Sequence, residues 1–540
     1  MRFAFLMIAC AAVAAGQPAP ADLCSVEGQV VNSLTGEPVR GASVMLVRTD
    51  FQSVPRTNAY SASSNPSGHF ALAGVLPGKY RLNFSRTGFA ASAYYSEPSS
   101  RLPATLMLEA GQRVTDLVFR VTPNGVVSGR IVDENGDPIP YVQVQLSRFR
   151  YLLGRKQMLP AGGSGSTDDL GVYRIFDVEP GRYYLSAQYR QNTVRVLRLE
   201  VAQQVEEEYV PTFYPGVTDF AAAALLSITP GAQLQNVNLR LAKTRTVRVK
   251  GRVTPPNASL TLAPRNPTSP ATSTRGVAAD RDGNFEIAGV VPGAYYLMAN
   301  VMQSGKPPYS TRQPLDVGPA DIQGIAVSIP PPAETTGRFR AEGGKALPGG
   351  LRAQLTLFDN SFQYGPLAGG LVASDGTFKL ENISLDRYYV SVEGLPRGWY
   401  VKSIRAGGTD ALVSGLDATG GAPGPLDIVV SPNAGQVTGT AQDANGQQPA
   451  AGVTVALVPQ EKERRERSSY YREARADEAG AFTFPNVIPG EYKVFAWDRV
   501  ESGAYMDPEF MKPVESKGEA VTVREGEKAN VTVKVIPAGE

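Results

Sequence analysis

The sequence predicts an all-β chain: a tandem array of about five seven-stranded β-sandwich domains behind an N-terminal export signal. Three observations predict it. A two-turn pattern recurs five times at one fixed spacing, apolar residues alternate along the segment after it, and turn formers abound, with 55 glycines and 42 prolines in 540 residues. Together they make up about 18% of the chain, above the roughly 12% of an average protein and below the ~25–30% of low-complexity sequence.

The first copy reads Asn65-Pro66-Ser67-Gly68-His69-Phe70, then Leu76-Pro77-Gly78-Lys79-Tyr80. The second reads Asp169-Leu170-Gly171-Val172-Tyr173, then Glu179-Pro180-Gly181-Arg182-Tyr183. The third reads Asp282-Gly283-Asn284-Phe285, then Val291-Pro292-Gly293-Ala294-Tyr295. The fourth reads Asp375-Gly376-Thr377-Phe378, then Leu385-Asp386-Arg387-Tyr388, with Asp386 in place of the glycine. The fifth reads Ala479-Gly480-Ala481-Phe482, then Ile488-Pro489-Gly490-Glu491-Tyr492. In every copy the turn glycine and the second aromatic are 12 residues apart: 68 and 80, 171 and 183, 283 and 295, 376 and 388, 480 and 492.

Each part of the unit has a physical reading. Asp or Asn beside Gly suits a tight turn because both tolerate positive φ. Gly-x-Phe/Tyr then opens a short strand, and Pro-Gly makes the next turn. After it the apolar residues alternate, as in Tyr80-Leu82-Phe84, Tyr183-Leu185-Ala187 and Tyr492-Val494-Ala496. Period two with one apolar face is a half-buried strand. The tyrosine after the turn resembles a tyrosine corner, whose ring enters the core and whose hydroxyl bonds back to the chain.

An opening strand and turn precede most copies, as in Val26-Glu27-Gly28-Gln29-Val30, Val127-Ser128-Gly129-Arg130-Ile131 and Val437-Thr438-Gly439-Thr440, with thinner versions at Gly251 and Gly337. Closing hairpins are expected over Leu106 to Val121, Leu225 to Leu241 and Val521 to Val535, turning near Gly111, Gly231 and Gly526. Repeats of about seven strands follow, at 25–122, 123–243, 244–330, 331–433 and 434–540. No long segment has helical periodicity.

Composition narrows the chemistry. With 53 basic and 51 acidic residues the chain has no cationic excess to neutralise phosphates, which argues against nucleic-acid binding. One histidine, His69, and two cysteines, Cys10 and Cys24, are too few for a His/Cys zinc site. No metal, cofactor or catalytic residue is expected.

Residues 1–16 read as a secretory signal. Arg2 precedes an apolar run from Phe3 to Ala15 that is too short to span a bilayer, which takes ~20 residues. Cleavage is expected before Gly16 or Gln17. The alternative is a lipobox, Leu6-Met7-Ile8-Ala9-Cys10, with lipid on Cys10. After ordinary cleavage Cys24 remains alone and no intrachain disulfide forms. The mature chain is expected to lack a transmembrane segment and to be secreted, periplasmic or at the cell surface.

The succession G-x-V-x-D-x-x-G-x-P-x-x-x-A-x-V, a D-x-x-G-x-F turn and L-x-P-G-x-Y looks like the carboxypeptidase regulatory-like domain. It reads most fully over residues 127–187. The resemblance implies an Ig/prealbumin-like (transthyretin-like) sandwich of the carbohydrate-binding-like group, usually an accessory to another module. The metallocarboxypeptidase itself is not implied, because Phe70-Ala71-Leu72 follows His69 where a His-x-x-Glu zinc pair would need its acid. The pattern also resembles the Cna B-type domains of bacterial surface proteins, without an assignable Lys–Asn–acid trio, and more weakly fibronectin type III.

Several segments invite a functional reading. His69 fills the variable slot of Gly-x-Phe and reads as a turn residue. The acidic runs Asp280-Arg281-Asp282-Gly283 and Asp133-Glu134-Asn135-Gly136-Asp137 lack the full spacing of a calcium loop and read as tight turns. The charged stretch from Glu461 to Arg475 reads as a solvated hairpin or short helix, or as a partner-docking loop. Tyr209-Val210-Pro211-Thr212-Phe213-Tyr214-Pro215-Gly216 is the strongest candidate. It either packs over an open sandwich edge or presents Tyr209, Phe213 and Tyr214 as a stacking platform for sugar rings or an aromatic partner.

The function expected from the sequence is that of an exported, non-catalytic protein acting in binding or structure, with polysaccharide or another cell-surface protein as partner. An accessory subunit of a surface enzyme, or a cryptic hydrolase, is the alternative.

Overall fold

The computed structural model describes residues 23–49, 59–95, 104–152, 154–189, 207–265, 275–302, 308–358 and 368–537. The export signal expected at 1–16, Cys10 included, lies outside the described residues. The chain forms two compact units. One holds Met1–Val127 with Phe176–Gly181 and Ile228–Leu234, and the other holds Ser128–Ile175, Arg182–Ser227 and Gln235–Glu540.

The architecture is all-β, and one two-sheet plan recurs along the chain. In the first repeat the opening strand Cys24–Asn32 lies between His69–Val75, antiparallel, and Arg113–Val121, parallel. The facing sheet centres on Ser43–Arg48, paired with Ala59–Ser63 on one side and Gly78–Arg86 on the other. The third repeat shows the plan with seven strands, three around Val247–Thr254 and four around Ser259–Pro264. In the fifth, Lys528–Ile536 pairs with both Gly435–Gln442 and Gly490–Trp497 and joins the two sheets.

The expected closing hairpins are corrected. Thr105–Leu108 pairs with Gly78–Arg86 in one sheet, and Arg113–Val121 crosses to the other. Glu519–Val523 and Lys528–Ile536 part in the same way around the turn at Gly526. Each is an arch between sheets. The opening strand requires it, because the strand after the glycine supplies its parallel partner and its hydrogen bonds would otherwise be unmet.

Separate apolar cores lie between the sheets. Val26, Val44, Leu82 and Phe119 fill the first, Val249, Leu260 and Leu297 the third, Leu355, Leu380 and Ile428 the fourth, and Val437, Val455 and Val494 the fifth. Their alternation in sequence is the period-two burial of strands covered on one face.

Within the second unit, ion pairs tie successive sandwiches. Arg312 of the third donates to both carboxylate oxygens of Asp386 in the fourth, at 2.6 and 3.1 Å. Tyr400 and Lys402 of the fourth both reach Glu525 of the fifth at 2.6 Å. Asp386 is the residue that breaks the repeat's Pro-Gly pattern. Its carboxylate is committed to this joint, which a glycine could not make.

Candidate functional site

The residues that define the repeat act on the fold. The tyrosine hydroxyl donates to the backbone carbonyl four residues earlier: Tyr80 to Leu76, Tyr295 to Val291 and Tyr388 to Ser384 at 2.8 Å, and Tyr492 to Ile488 at 2.7 Å. These rings are buried, as is that of Tyr183. The hydrogen bond pins the Pro-Gly turn to the strand that follows it. Burial pushes the Tyr388 and Tyr492 phenols up to about 12.

At the first turn the side-chain cap stands three residues before the glycine. Asn65, Asp168, Asp280 and Asp477 each accept two backbone N–H groups across their turns, at 2.7–3.0 Å. In the fourth repeat Ala373 occupies that place, and Asp375 accepts from the N–H of Thr377 instead. The turn glycines Gly68, Gly171, Gly283, Gly376 and Gly480 all have φ between 72° and 84°. The acidic runs noted in the sequence are therefore turns. Among the described residues no group of three or more His, Cys, Asp or Glu could hold a metal ion. His69 is exposed, and the Cys24 thiol is buried and donates to the Glu109 carbonyl at 2.9 Å.

The aromatic segment of the second repeat lies against the sheet. Thr212–Phe213 pairs with Ser186 and Ala187 of the strand Gly181–Tyr189, and the Tyr214 N–H donates to the Leu185 carbonyl at 2.9 Å. A short 3-10 turn, Phe220–Ala222, follows, with Asp219 accepting from the Ala221 N–H.

Phe213 is 2% exposed. Its ring meets Phe220 at 5.3 Å, and Phe220 meets Tyr184 at 4.8 Å and Phe149 at 5.7 Å. For Phe213 the platform reading is corrected: the ring seals the outer face of the sheet and has no face left for a ligand. Tyr209 and Tyr214 are half-buried. Tyr209 stands edge-on to Tyr189 at 5.5 Å, with the Lys243 ammonium 5.1 Å from its ring centre. Lys243 also pairs with Glu134 at 3.1 Å, and that hydrogen bond is the main cause raising its pKa. The three predicted residues thus do not form one platform.

Phe149, Tyr184 and Phe220 were not singled out in the sequence. Adjacent Tyr183 and Tyr184 were the available signal, since neighbours on a strand face opposite ways and both are aromatic. In the fifth repeat both faces of the sheet are covered as well: all six residues of Thr454–Pro459 are buried. A second cluster, including Tyr471, Phe495, Trp497 and Tyr505, covers that sheet's outer face. The charged stretch from Glu461 to Arg475 contributes to this packing. Tyr470 and Tyr471 are buried, and Arg465 pairs with Glu515 at 2.6 Å.

Fold and site together define a tandem β-sandwich repeat protein whose signature residues are turn and corner residues. Residues 25–122 match the carboxypeptidase regulatory-like domain, and residues 434–500 match the domain described as BOS complex subunit NOMO1-like, second beta sandwich domain. The first sandwich is a carboxypeptidase regulatory-like domain, and its turn-and-tyrosine unit recurs in the other four repeats. The match falls on the first copy, although the motif reads most fully in the second.

No curated protein matches the chain. Similar solved structures include the Bacillus anthracis TIE protein, at 9% identity and TM-score 0.14, covering 91% of this chain and 68% of that one. GBS52, the minor pilin of Streptococcus agalactiae, is 12% identical at TM-score 0.22, covering 42% of this chain and 97% of that one. BcpA, the major pilin subunit of Bacillus cereus, is 12% identical at TM-score 0.15, covering 54% and 98%. At these TM-scores the likenesses carry no argument about this chain. Among the described residues no helix is long and apolar enough to cross a membrane.

Proposed function

We propose that the chain is an exported, non-catalytic protein that acts in binding or structure at the periplasm or cell surface. One observation carries this reading: the residues that define the repeat are committed to the fold. The tyrosine hydroxyls of Tyr80, Tyr295, Tyr388 and Tyr492 bond backbone, and the Asx side chains cap turns. A repeated active site would instead leave polar groups directed at a common cleft. Within this reading a polysaccharide is the partner, and the half-buried rings of Tyr209 and Tyr214 are the groups to meet it, since aromatic faces suit the apolar faces of sugars.

The test uses the full mature chain on a glycan array, with peptide, ester and glycoside turnover assayed in parallel. Binding without turnover, weakened in a folded Tyr209→Ala, Tyr214→Ala double variant, supports the proposal. Reproducible turnover lost on changing one carboxylate overturns it in favour of a hydrolase. Sugar binding untouched by the double variant removes these rings from the proposal.

A further inference from the structure

One elaboration of the second repeat and one of the fifth bear on each other. In the fifth repeat, described throughout this stretch, the central strand of the second sheet has 6 residues and its neighbour 4. In the second repeat the same pair is Val142–Leu152, with 11 residues, and Arg155–Ser166, with 12. The fifth repeat carries the other elaboration, between Trp497 and the strand Glu519–Val523, with short helical turns at Ala504–Met506, Pro508–Met511 and Glu515–Lys517.

The two elaborations meet, although 350 residues separate the hydrogen-bonded pair. The Tyr151 ring stands edge-on to Phe510 at 6.1 Å, and Phe510 packs on Trp497 at 6.3 Å. The Tyr151 N–H donates to the Glu501 carboxylate at 3.3 Å. Each side also places a glycine at the contact. A Cβ on Gly154 would lie 2.6 Å from the Met506 Cβ, and one on Gly503 would lie 3.4 Å from the Tyr151 Cβ. Both glycines have left-handed φ, 77° and 85°. Ordering a long hairpin costs conformational entropy, which contacts at its tip offset.

We propose that the strand pair Val142–Leu152 and Arg155–Ser166 is a latch that fastens the second sandwich to the fifth through Tyr151 and Phe510, so that the second to fifth repeats act as one cooperative body. Repeat arrays ordinarily couple only nearest neighbours. Here the fifth sandwich is held both by the fourth, through Glu525, and by the second, through the latch.

A cysteine pair tests this in the full mature chain. Gly154→Cys with Met506→Cys needs a shift of about 1 Å to reach the Cβ separation of a disulfide, and the native Cys24 is buried. Mild oxidant is expected to close the pair in high yield. A control pair, Gly136→Cys with Met506→Cys, is expected to stay open. Equal yields overturn the proposal.

A second measurement does not depend on oxidation. Asparagine tolerates positive φ, so Gly154→Asn keeps the turn while driving a side chain into Met506. Gly136→Asn is the control, because its Cβ would meet nothing within 4 Å. Hydrogen exchange over residues 500–514 is expected to rise about tenfold in the first variant alone. Unchanged exchange in a folded Gly154→Asn chain overturns the latch.

Discussion

Gly439 stands directly across the sheet from Phe482, and the phenyl ring lies over the place a side chain would occupy. A Cβ at Gly439 would lie 2.5 Å from that ring and closer still to the Val531 carbonyl of the parallel strand. Gly28 faces Phe70, Gly251 faces Phe285 and Gly337 faces Phe378 in the same register. The aromatic of Gly-x-Phe thus covers the glycine of the opening strand, which lets the parallel strand approach. Gly439→Ala is expected to destabilise the fifth sandwich by about 2 kcal/mol, the cost of forcing a methyl into filled space. Denaturant unfolding of the full chain measures it, and an unchanged midpoint would show that the ring and strand move aside freely.

Removing the corner hydroxyl isolates one hydrogen bond. Tyr492→Phe keeps the buried ring and leaves the Ile488 carbonyl without its 2.7 Å donor. The expected cost is about 1 kcal/mol. Tyr295→Phe should cost a similar amount, since its bond to Val291 spans the same four residues. No loss in either variant would deny the hydroxyl its part in holding the turn.

The same phenols set a limit at high pH. The ordinary tyrosine pKa is near 10, and burial holds Tyr388 and Tyr492 at about 12. Below pH 10 both folded and unfolded chains keep the proton. As pH rises toward 12 the unfolded chain loses it first, so stability falls across that window. Unfolding free energy followed against pH, with phenolate absorbance alongside, should show the decline. A Tyr492→Phe chain should decline less steeply. Equal slopes would mean that the Tyr492 phenol titrates alike in both states.

How much of this was legible in the sequence depends on how local the cause is. Gly171 and Tyr183, 12 residues apart, announce a turn and a corner because both needs are met within one short segment. One further position was readable but missed. Six residues after each turn glycine stands Gly74, Asp177, Gly289, Asn382 or Asn486, all with φ between 55° and 71°. Gly, Asp and Asn are the types that enter this region at least cost. The encounter of Tyr151 with Phe510 was not legible. Neither partner lies in the repeated unit, and two single elaborations leave no periodicity to compare. Phe213 was ambiguous for another reason: an aromatic on the outer side of a strand reads alike whether a loop covers it or solvent does.

Tyr141 is the exception among five equivalent residues. A residue just before the second strand has positive φ in every repeat: Gly41 at 67°, Tyr141 at 61°, Asn257 at 61°, Gly350 at 76° and Gly452 at 70°. A bulky side chain is strained there, at a cost of order 1–3 kcal/mol. The Tyr141 side chain is 73% exposed, so little burial offsets that strain. Tyr141→Gly relieves it but gives back roughly 0.4–1 kcal/mol by freeing the unfolded chain. The expected net effect is stabilisation of about 1 kcal/mol. A higher midpoint of thermal unfolding checks this, and a lower one would show that the exposed ring makes contacts that outweigh the strain.

Phe213 and Tyr209, read together in the sequence, should part in experiment. Phe213 is 2% exposed and touches Phe220, which in turn holds Tyr184 and Phe149 on the outer face of the sheet. Truncating such a ring removes its own transfer energy and leaves a cavity, so Phe213→Ala is expected to cost about 3 kcal/mol or more. Tyr209 is half-buried, with its edge contact to Tyr189 and the Lys243 ammonium above its ring. Tyr209→Ala is expected to cost about 1 kcal/mol, in proportion to the smaller area it buries. Chemical denaturation of the two variants gives the comparison directly. Equal losses would mean that Tyr209 belongs to the same packed cluster. A negligible loss for Phe213→Ala would return that ring to solvent, and with it the stacking platform over all three residues.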